Sequence, residues 1–444
     1  MIENKLAQPF TFIKIMKFTL PTMIMMIFMS LYQTIDGVFV SNLIGDLALT
    51  ALNIVYPYTS ILIALSIMLA TGSSAIIAWN MGQKKYREAK ENFSFIILFS
   101  ILLSLLIMMI SYFCIDPILS ILGTTNRIYN YCYDYLKIMI FSTPFCVLQL
   151  LFQTFFVTAG KPKHGLVLTV LAGIFNMVFD YIFIAHYQMG TAGAAIATSL
   201  GYAIVACYGM YYFTIHRKGT LYFVKPILRF SVLKQACMNG MSEMINNLAI
   251  AITTYLFNII GIHYLQEEGV AAITIILYAQ FIMTSIFMGY ASGIAPIFSY
   301  KYGANDQPQI RKLFKVSILF TTIVSLLTFL LSFVVARPLS MIFASHSLYV
   351  LELSIHGFYL FSISFLFTGF NIFASSLFTA FSNGKISGIL SFLRTFVFLV
   401  IALFTLPLLL QENGIWLAVP LAEGLALIFS IYAIIKNKDQ YHFY

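Results

Sequence analysis

The sequence predicts an all-α polytopic membrane protein, with twelve transmembrane helices in two parallel-repeat six-helix lobes. Three observations carry this reading: an apolar excess no soluble fold could hide, twelve long apolar runs, and a set of small residues that recurs after 221 positions. Apolar residues make up 60% of the 444, about 266, and only 9% of the chain is charged. A soluble domain carries about 25% charge. One bilayer span takes roughly 20 apolar residues, so the chain holds enough for about twelve. These figures exclude a soluble enzyme, a nucleic-acid binder and a secreted disulfide scaffold. The net charge of +9 fits basic cytoplasmic loops rather than nucleic acid.

The runs lie near 15–43, 51–79, 92–113, 130–158, 165–186 and 192–215, then near 236–262, 270–299, 313–336, 349–381, 386–410 and 414–435. They are long and lack period-two alternation. In lipid the backbone must satisfy its own hydrogen bonds, so each run reads as a helix. Lys5, Lys14 and Lys17 precede the first run, which is too long for the core of a cleavable signal and reads as a retained span. Cys114, Cys132, Cys146, Cys207 and Cys237 are scattered and form no metal-ligand spacing.

Basic residues cluster in alternate loops: Lys84, Lys85, Arg87 and Lys90; Lys161 and Lys163; Arg217 to Lys234; Lys301 to Lys315; and Lys385. With the two tails they account for 21 of the 25 Lys and Arg. The positive-inside rule then predicts both termini in the cytoplasm and a multi-pass protein of the plasma (cytoplasmic) membrane. The longest polar interruption divides the chain into an N-terminal lobe (1–216), a cytoplasmic linker (217–235) and a C-terminal lobe (236–444). The 221-residue offset pairs Gly72 with Gly293, Gly82 with Gly303, Ala51 with Ala272, and Thr158-Ala159 with Thr379-Ala380. Basic loops follow both Gly82 and Gly303, so the halves share one orientation. That is a parallel repeat about an axis along the membrane normal, with a substrate cleft expected between the lobes.

Of the sixteen acids, most fall in loops, tails or span ends, with Glu88 and Glu91 assigned to a loop. Asp36, Asp180, Glu243 and Glu423 remain at depth, where a carboxylate costs roughly 2.5–3.5 kcal/mol on insertion scales. Helix rise places Asp36 and Asp180 about 10 Å from the outer surface. Asn176 lies one turn from Asp180 on the same face, and Thr198 enters at a similar depth. The set Asp36, Asn176, Asp180 and Thr198 could hold one proton, because paired carboxylates in a dry site do not both ionise. The same oxygens suit one Na⁺. Glu243 is a candidate for the substrate cavity, but it lies near the start of its span, where it could equally be a structural or rim residue. Arg394 and Glu423 sit on neighbouring spans and are candidates for an ion pair. No GxxxxGK[ST], HExxH or Gly-x-Ser-x-Gly pattern occurs, so neither ATP hydrolysis nor another enzymatic activity is expected, and no cofactor.

Several of these segments resemble the multidrug and toxic compound extrusion (MATE) family of secondary transporters, of prokaryotic type. The first-span run from Leu31 through Asp36 to Gly45, with Ala51 and Pro57 beyond it, is similar to the family's first helix. So are Asn176-Met-Val-Phe-Asp180, Gly193-Ala-Ala-Ile-Ala-Thr198, Arg394 and Pro420-Leu-Ala-Glu423. Val157 and Ser41 depart from it, where Arg and Gly are more usual. The resemblance implies an antiporter that exports small, amphipathic, mostly cationic organic compounds in exchange for H⁺ or Na⁺. It also implies that Tyr32 and Gln153 line the N-lobe cavity. Partners are then the organic cation and membrane lipids, with no nucleic acid, and a monomer suffices. A flippase for a lipid-linked oligosaccharide, a related fold, is the alternative. It would want several basic residues in the cleft, whereas the spans hold only Lys137 and Arg394.

Overall fold

The structure is a computed structural model. It describes residues 5–343 and 347–443, and within these the side chains at 33–42, 46, 49, 251, 267, 342 and 343 lie outside the description. The N-terminal half comprises α1 (Phe12–Leu43), α2 (Asp46–Gly82), α3 (Tyr86–Phe113), the short α4 (Ile115–Ile121), α5 (Tyr129–Thr158), α6 (Pro162–Asp180) with a π-helical turn (Tyr181–His186), and α7 (Gly190–Ile215). The C-terminal half comprises α8 (Phe230–Gly303), α9 (Gln307–Phe343), α10 (Leu348–Ser362), α11 (Phe365–Ala380), α12 (Gly384–Phe392) with a π-helical turn (Leu393–Phe398), α13 (Leu399–Leu410), α14 (Glu412–Lys436) and α15 (Lys438–Tyr441). α8 is two spans, Phe230–Gln266 and Glu268–Gly303, turned at Gln266 by a φ of 59°. α10 and α11 form one span bent by 51°. Counting that bent pair as one, the described residues hold twelve helices long and apolar enough to cross a membrane.

Local signals explain the ends. Pro162 opens α6, where its missing N–H costs nothing. Ser347 Oγ caps α10 by accepting from the Val350 N–H at 3.3 Å. Pro21, Pro57, Pro144, Pro296, Pro338, Pro407 and Pro420 lie inside helices, as neighbouring helices in a membrane bundle allow. The spans match the apolar runs but extend further into the basic loops. α4 was not apparent in the apolar pattern.

The lobes share one core at the basic end. It joins Ile76, Ile77 and Met81 of α2, Phe152, Phe155 and Phe156 of α5, Ala236, Ile297 and Phe298 of α8, and Phe378 of α11. At the other end each lobe has its own core. Val55, Leu136 and Ala195 belong to one, and Ile276, Phe361 and Trp416 to the other. The molecule is therefore sealed at the end that carries the lysines and split at the opposite end.

The seal displays the 221-residue repeat directly. A Cβ on Gly82 would lie 2.1 Å from the Tyr300 carbonyl oxygen, and a Cβ on Gly303 would lie 2.2 Å from that of Trp79. Trp79 and Tyr300 are themselves 221 apart. Each half thus makes the same contact on the other, as a two-fold axis through the crossing requires. Only glycine admits this approach.

Two further segments close the basic end. The helix-free stretch at 216–229 lies on the N-terminal half. There Val224 N–H donates to Ser94 Oγ at 3.0 Å, Phe223 stacks on Phe93 at 5.1 Å, and the Lys90 ammonium sits 4.0 Å from the Tyr222 ring centre. The N-terminal tail crosses to the C-terminal half: Phe10 N–H donates to Gln309 Oε1 at 2.9 Å, and Lys301 Nζ donates to the Ala7 carbonyl at 3.1 Å.

Candidate functional site

A cavity of about 410 Å³ lies between the lobes. α1, α2, α5 and α7 form one wall, and α8, α11, α14 and the turn carrying Arg394 form the other. This size is in the range of small-molecule sites. Its lining mixes Met25, Met26, Met29 and Met288 with Tyr32, Tyr56, Tyr202 and Phe281. Methionine and aromatic surfaces adapt to apolar ligands of varied shape. The amides of Gln149, Gln153, Asn246, Asn247 and Gln280 supply polar points. Three charged residues also reach it: Glu243, Glu423 and Arg394.

Glu243 lines this cavity instead of the rim. α8 begins at Phe230, earlier than the apolar run, so Glu243 stands thirteen residues inside it, about 20 Å along the helix. Arg394 Nε lies 2.8 Å from Glu423 Oε1. The other Glu423 oxygen accepts from Asn371 Nδ2 at 2.6 Å, and Asn371 Oδ1 accepts from Ser430 Oγ at 2.9 Å. Glu423 is 4% exposed, so the pair needs these hydrogen bonds to offset the loss of water. Arg394 sits in the π-helical turn at Leu393–Phe398; such turns recur at functional sites. Glu423 is taken up by Arg394, so Glu243 is the one carboxyl group among the lining residues that is not in an ion pair.

In the N-terminal half, Tyr32 and Gln153 line the cavity. Gln153 is oriented by donating from Nε2 to Thr169 Oγ1 at 2.8 Å. Asn176, Asp180 and Thr198 are not among the lining residues. They lie within the bundle where α6 packs on α1 and α7. Asn176 Nδ2 donates to Thr198 Oγ1 at 3.4 Å, and Asp180 is fully buried at the end of α6, immediately before the π-helical turn at Tyr181–His186. Asp36, the fourth member of the expected cluster, lies outside the described side chains. Asn176 Oδ1 has no donor among the described residues. Among the described residues no group of three or more His, Cys, Asp or Glu side chains could hold a metal ion.

Two readings from sequence need amendment. Glu91 is not a loop residue: it belongs to α3, is 5% exposed, and binds Arg87 Nε at 2.8 Å and Arg229 Nη2 at 3.0 Å. The helix starts before the apolar run, so a polar first turn hid it. Asn371, Asn246 and Gln149 were also passed over, because only acids had been sorted by depth. Amides inside apolar runs were the available signal.

These features define a two-lobed membrane transporter with a central cavity. The MatE family model matches residues 21–182 and again 243–404, and the chain belongs to this family of transporters. The multidrug export protein MepA of Staphylococcus saprophyticus is 22% identical over 436 residues, covering 96% of this chain and 94% of that protein. Its counterpart in Staphylococcus haemolyticus is 23% identical over 443 residues, covering 96% and 93%. A crystal structure of a MATE protein in complex with MaL6 superposes with a TM-score of 0.93 at 20% identity over the whole of both chains. A MOP superfamily transporter from Pyrococcus furiosus, described as having a binding pocket of reverse polarity, gives 0.91 at 20% identity over 99% of each.

Proposed function

We propose that this chain is a secondary active antiporter that exports amphipathic, mostly cationic organic compounds in exchange for H⁺ or Na⁺. The observation that carries this is the inter-lobe cavity: methionine- and aromatic-rich, with the Glu243 carboxyl on its wall outside any ion pair, sealed at the basic end and split at the other. The names of the staphylococcal relatives, multidrug export proteins, agree with it. The basic end faces the cytoplasm by the positive-inside rule, with both termini there in the plasma membrane. The cavity then opens outward. The lobes (1–216 and 236–444) are the bodies that rock, and the linker (217–235) joins them. One chain contains both, so a monomer suffices.

Glu243 attracts the cation, and Tyr32 and Gln153 shape the opposite wall. Asp36, Asn176, Asp180 and Thr198 form the coupling site. Its loading with a proton or Na⁺ and the binding of substrate disfavour one another, and reciprocity lets each expel the other. Arg394 and Glu423 hold the π-helical turn that follows α12 against α14 and keep the C-lobe wall in register. A lipid-linked oligosaccharide head group would meet one arginine against two carboxylates here, which disfavours a flippase.

The test is efflux of a cationic dye from reconstituted vesicles with Na⁺ and pH gradients imposed one at a time. Uphill export driven by either gradient supports the reading and names the ion. Export in neither condition, with the protein shown folded, refutes it.

A further inference from the structure

At the basic end of the C-terminal lobe, apart from the central cavity, lies a second pocket of about 320 Å³ where the start of α8 meets the start of α12. Lys234 and Lys385 line it, and no carboxylate does. Among the described residues, neither lysine belongs to an ion pair.

Neutral polar side chains share the lining with the two charges. Ser231, Ser382 and Asn239 also line the pocket. Asn239 is 1% exposed, yet its Nδ2 has no acceptor among the described residues, and Ser382 Oγ has no partner either. A buried donor without an acceptor is costly, so its retention points to an acceptor supplied from outside. The first turn of α12 adds backbone donors. Asn383 Oδ1 accepts from the Ile386 N–H at 3.3 Å, and the Asn383 carbonyl accepts from the Ser387 N–H at 3.2 Å. The N–H groups of Gly384 and Lys385 come before these and have no acceptor within the helix. A Cβ on Gly384 would lie 2.0 Å from the Met238 carbonyl oxygen. Glycine is what lets this helix terminus close on α8 beside Asn239.

We propose that this pocket binds a phosphate-bearing anion, a phosphate mono- or diester. Two unpaired ammonium groups, an orphaned amide and hydroxyl, and a helix N-terminus together match the charge and the several acceptor oxygens of a phosphate. Lys385 stands in the first turn of the span Gly384–Leu410 and Lys234 at the start of the second turn of the span Phe230–Gln266, the level of lipid head groups. The phosphate can therefore come from a phospholipid or from solution. Bound there, it would tie the first and fifth spans of the C-terminal lobe together independently of what the central cavity carries.

The test measures the thermal unfolding midpoint of the purified full chain in a zwitterionic detergent. One arm adds inorganic phosphate, with chloride at matched ionic strength as control. The other adds phosphatidylglycerol, with phosphatidylcholine as control. Both are run on the wild type, on Lys234→Gln and Lys385→Gln singly and together, and on Lys163→Gln in the other lobe. The wild type and Lys163→Gln should show a saturable rise in midpoint. Each lysine removed from the pocket should weaken half-saturation about tenfold. A rise with phosphate identifies a free anion, and a rise with phosphatidylglycerol alone identifies a lipid head group. No saturable rise in either arm, a double variant that responds as the wild type does, or an equal loss in Lys163→Gln overturns the proposal.

Discussion

Gly82→Ala should loosen the seal at the basic end of the transporter. The added Cβ would sit 2.1 Å from the Tyr300 carbonyl oxygen, whereas an ordinary contact begins at 3.4 Å. The helices must therefore part by about 1.3 Å at this crossing, and a gap that wide forfeits more than half of the local dispersion attraction. Backbone on backbone offers no side chain to swing aside. Overpacking of this kind costs about 1–3 kcal/mol. If only the sealed form pays that cost, the balance between sealed and unsealed forms shifts about 5- to 150-fold. Gly303→Ala meets the Trp79 carbonyl across the same pseudo-two-fold crossing at 2.2 Å and should behave alike. The double variant should cost less than the sum, because helices already parted by one methyl accommodate the other. The assay is labelling of a Ser292→Cys reporter, which lines the cavity, by a membrane-impermeant thiol reagent applied from the basic side, in a background without native cysteines. Labelling from that side should rise in each single variant, and labelling from the opposite side should fall. Unchanged labelling from both sides, with the protein folded, would refute the claim that this crossing is the seal.

Three further outcomes are expected. Arg394→Ala strands a carboxylate that is 4% exposed and should cost about 3–5 kcal/mol. Glu423→Gln, which keeps the Asn371 bond, should cost less, and thermal unfolding in detergent reads the difference. Glu243→Gln should leave stability nearly unchanged but weaken binding of a cationic dye by about tenfold, as loss of one charge-assisted contact implies; unaltered dye titrations would remove Glu243 from the binding role. Cysteines at Lys85 and Lys163 should label only from the cytoplasm and one at Glu412 only from outside, and the reverse pattern would invert the proposed orientation.

The fold was legible because a bilayer narrows the choices. Twelve apolar runs could only be helices, and Gly82 and Gly303 announced the parallel repeat that their reciprocal contacts with Tyr300 and Trp79 display. Depth along a helix was less legible. The span carrying Glu243 begins at Phe230, in a stretch too polar to read as span, so the residue looked nearer the surface than it lies. Glu91 was misplaced for the same reason, since a polar first turn with Arg87 and Glu88 resembles a loop. The Arg394–Glu423 pair was legible as a candidate because both charges fall inside neighbouring apolar runs, and the structure joins them at 2.8 Å. The Asn371–Ser430 bond is a contact between distant spans, which no local pattern encodes.

The central claim is that buried N-lobe carboxylates couple an ion gradient to export through the cavity. Asp180 is fully buried, and Asp180→Asn keeps its size while fixing it in the neutral state. The direct measurement compares uphill, gradient-driven dye export with downhill dye exchange in vesicles containing this variant, and Asp36→Asn beside it. The account predicts well-folded protein in both variants, downhill exchange retained and uphill export abolished. Uphill export at the wild-type rate in either variant would contradict it.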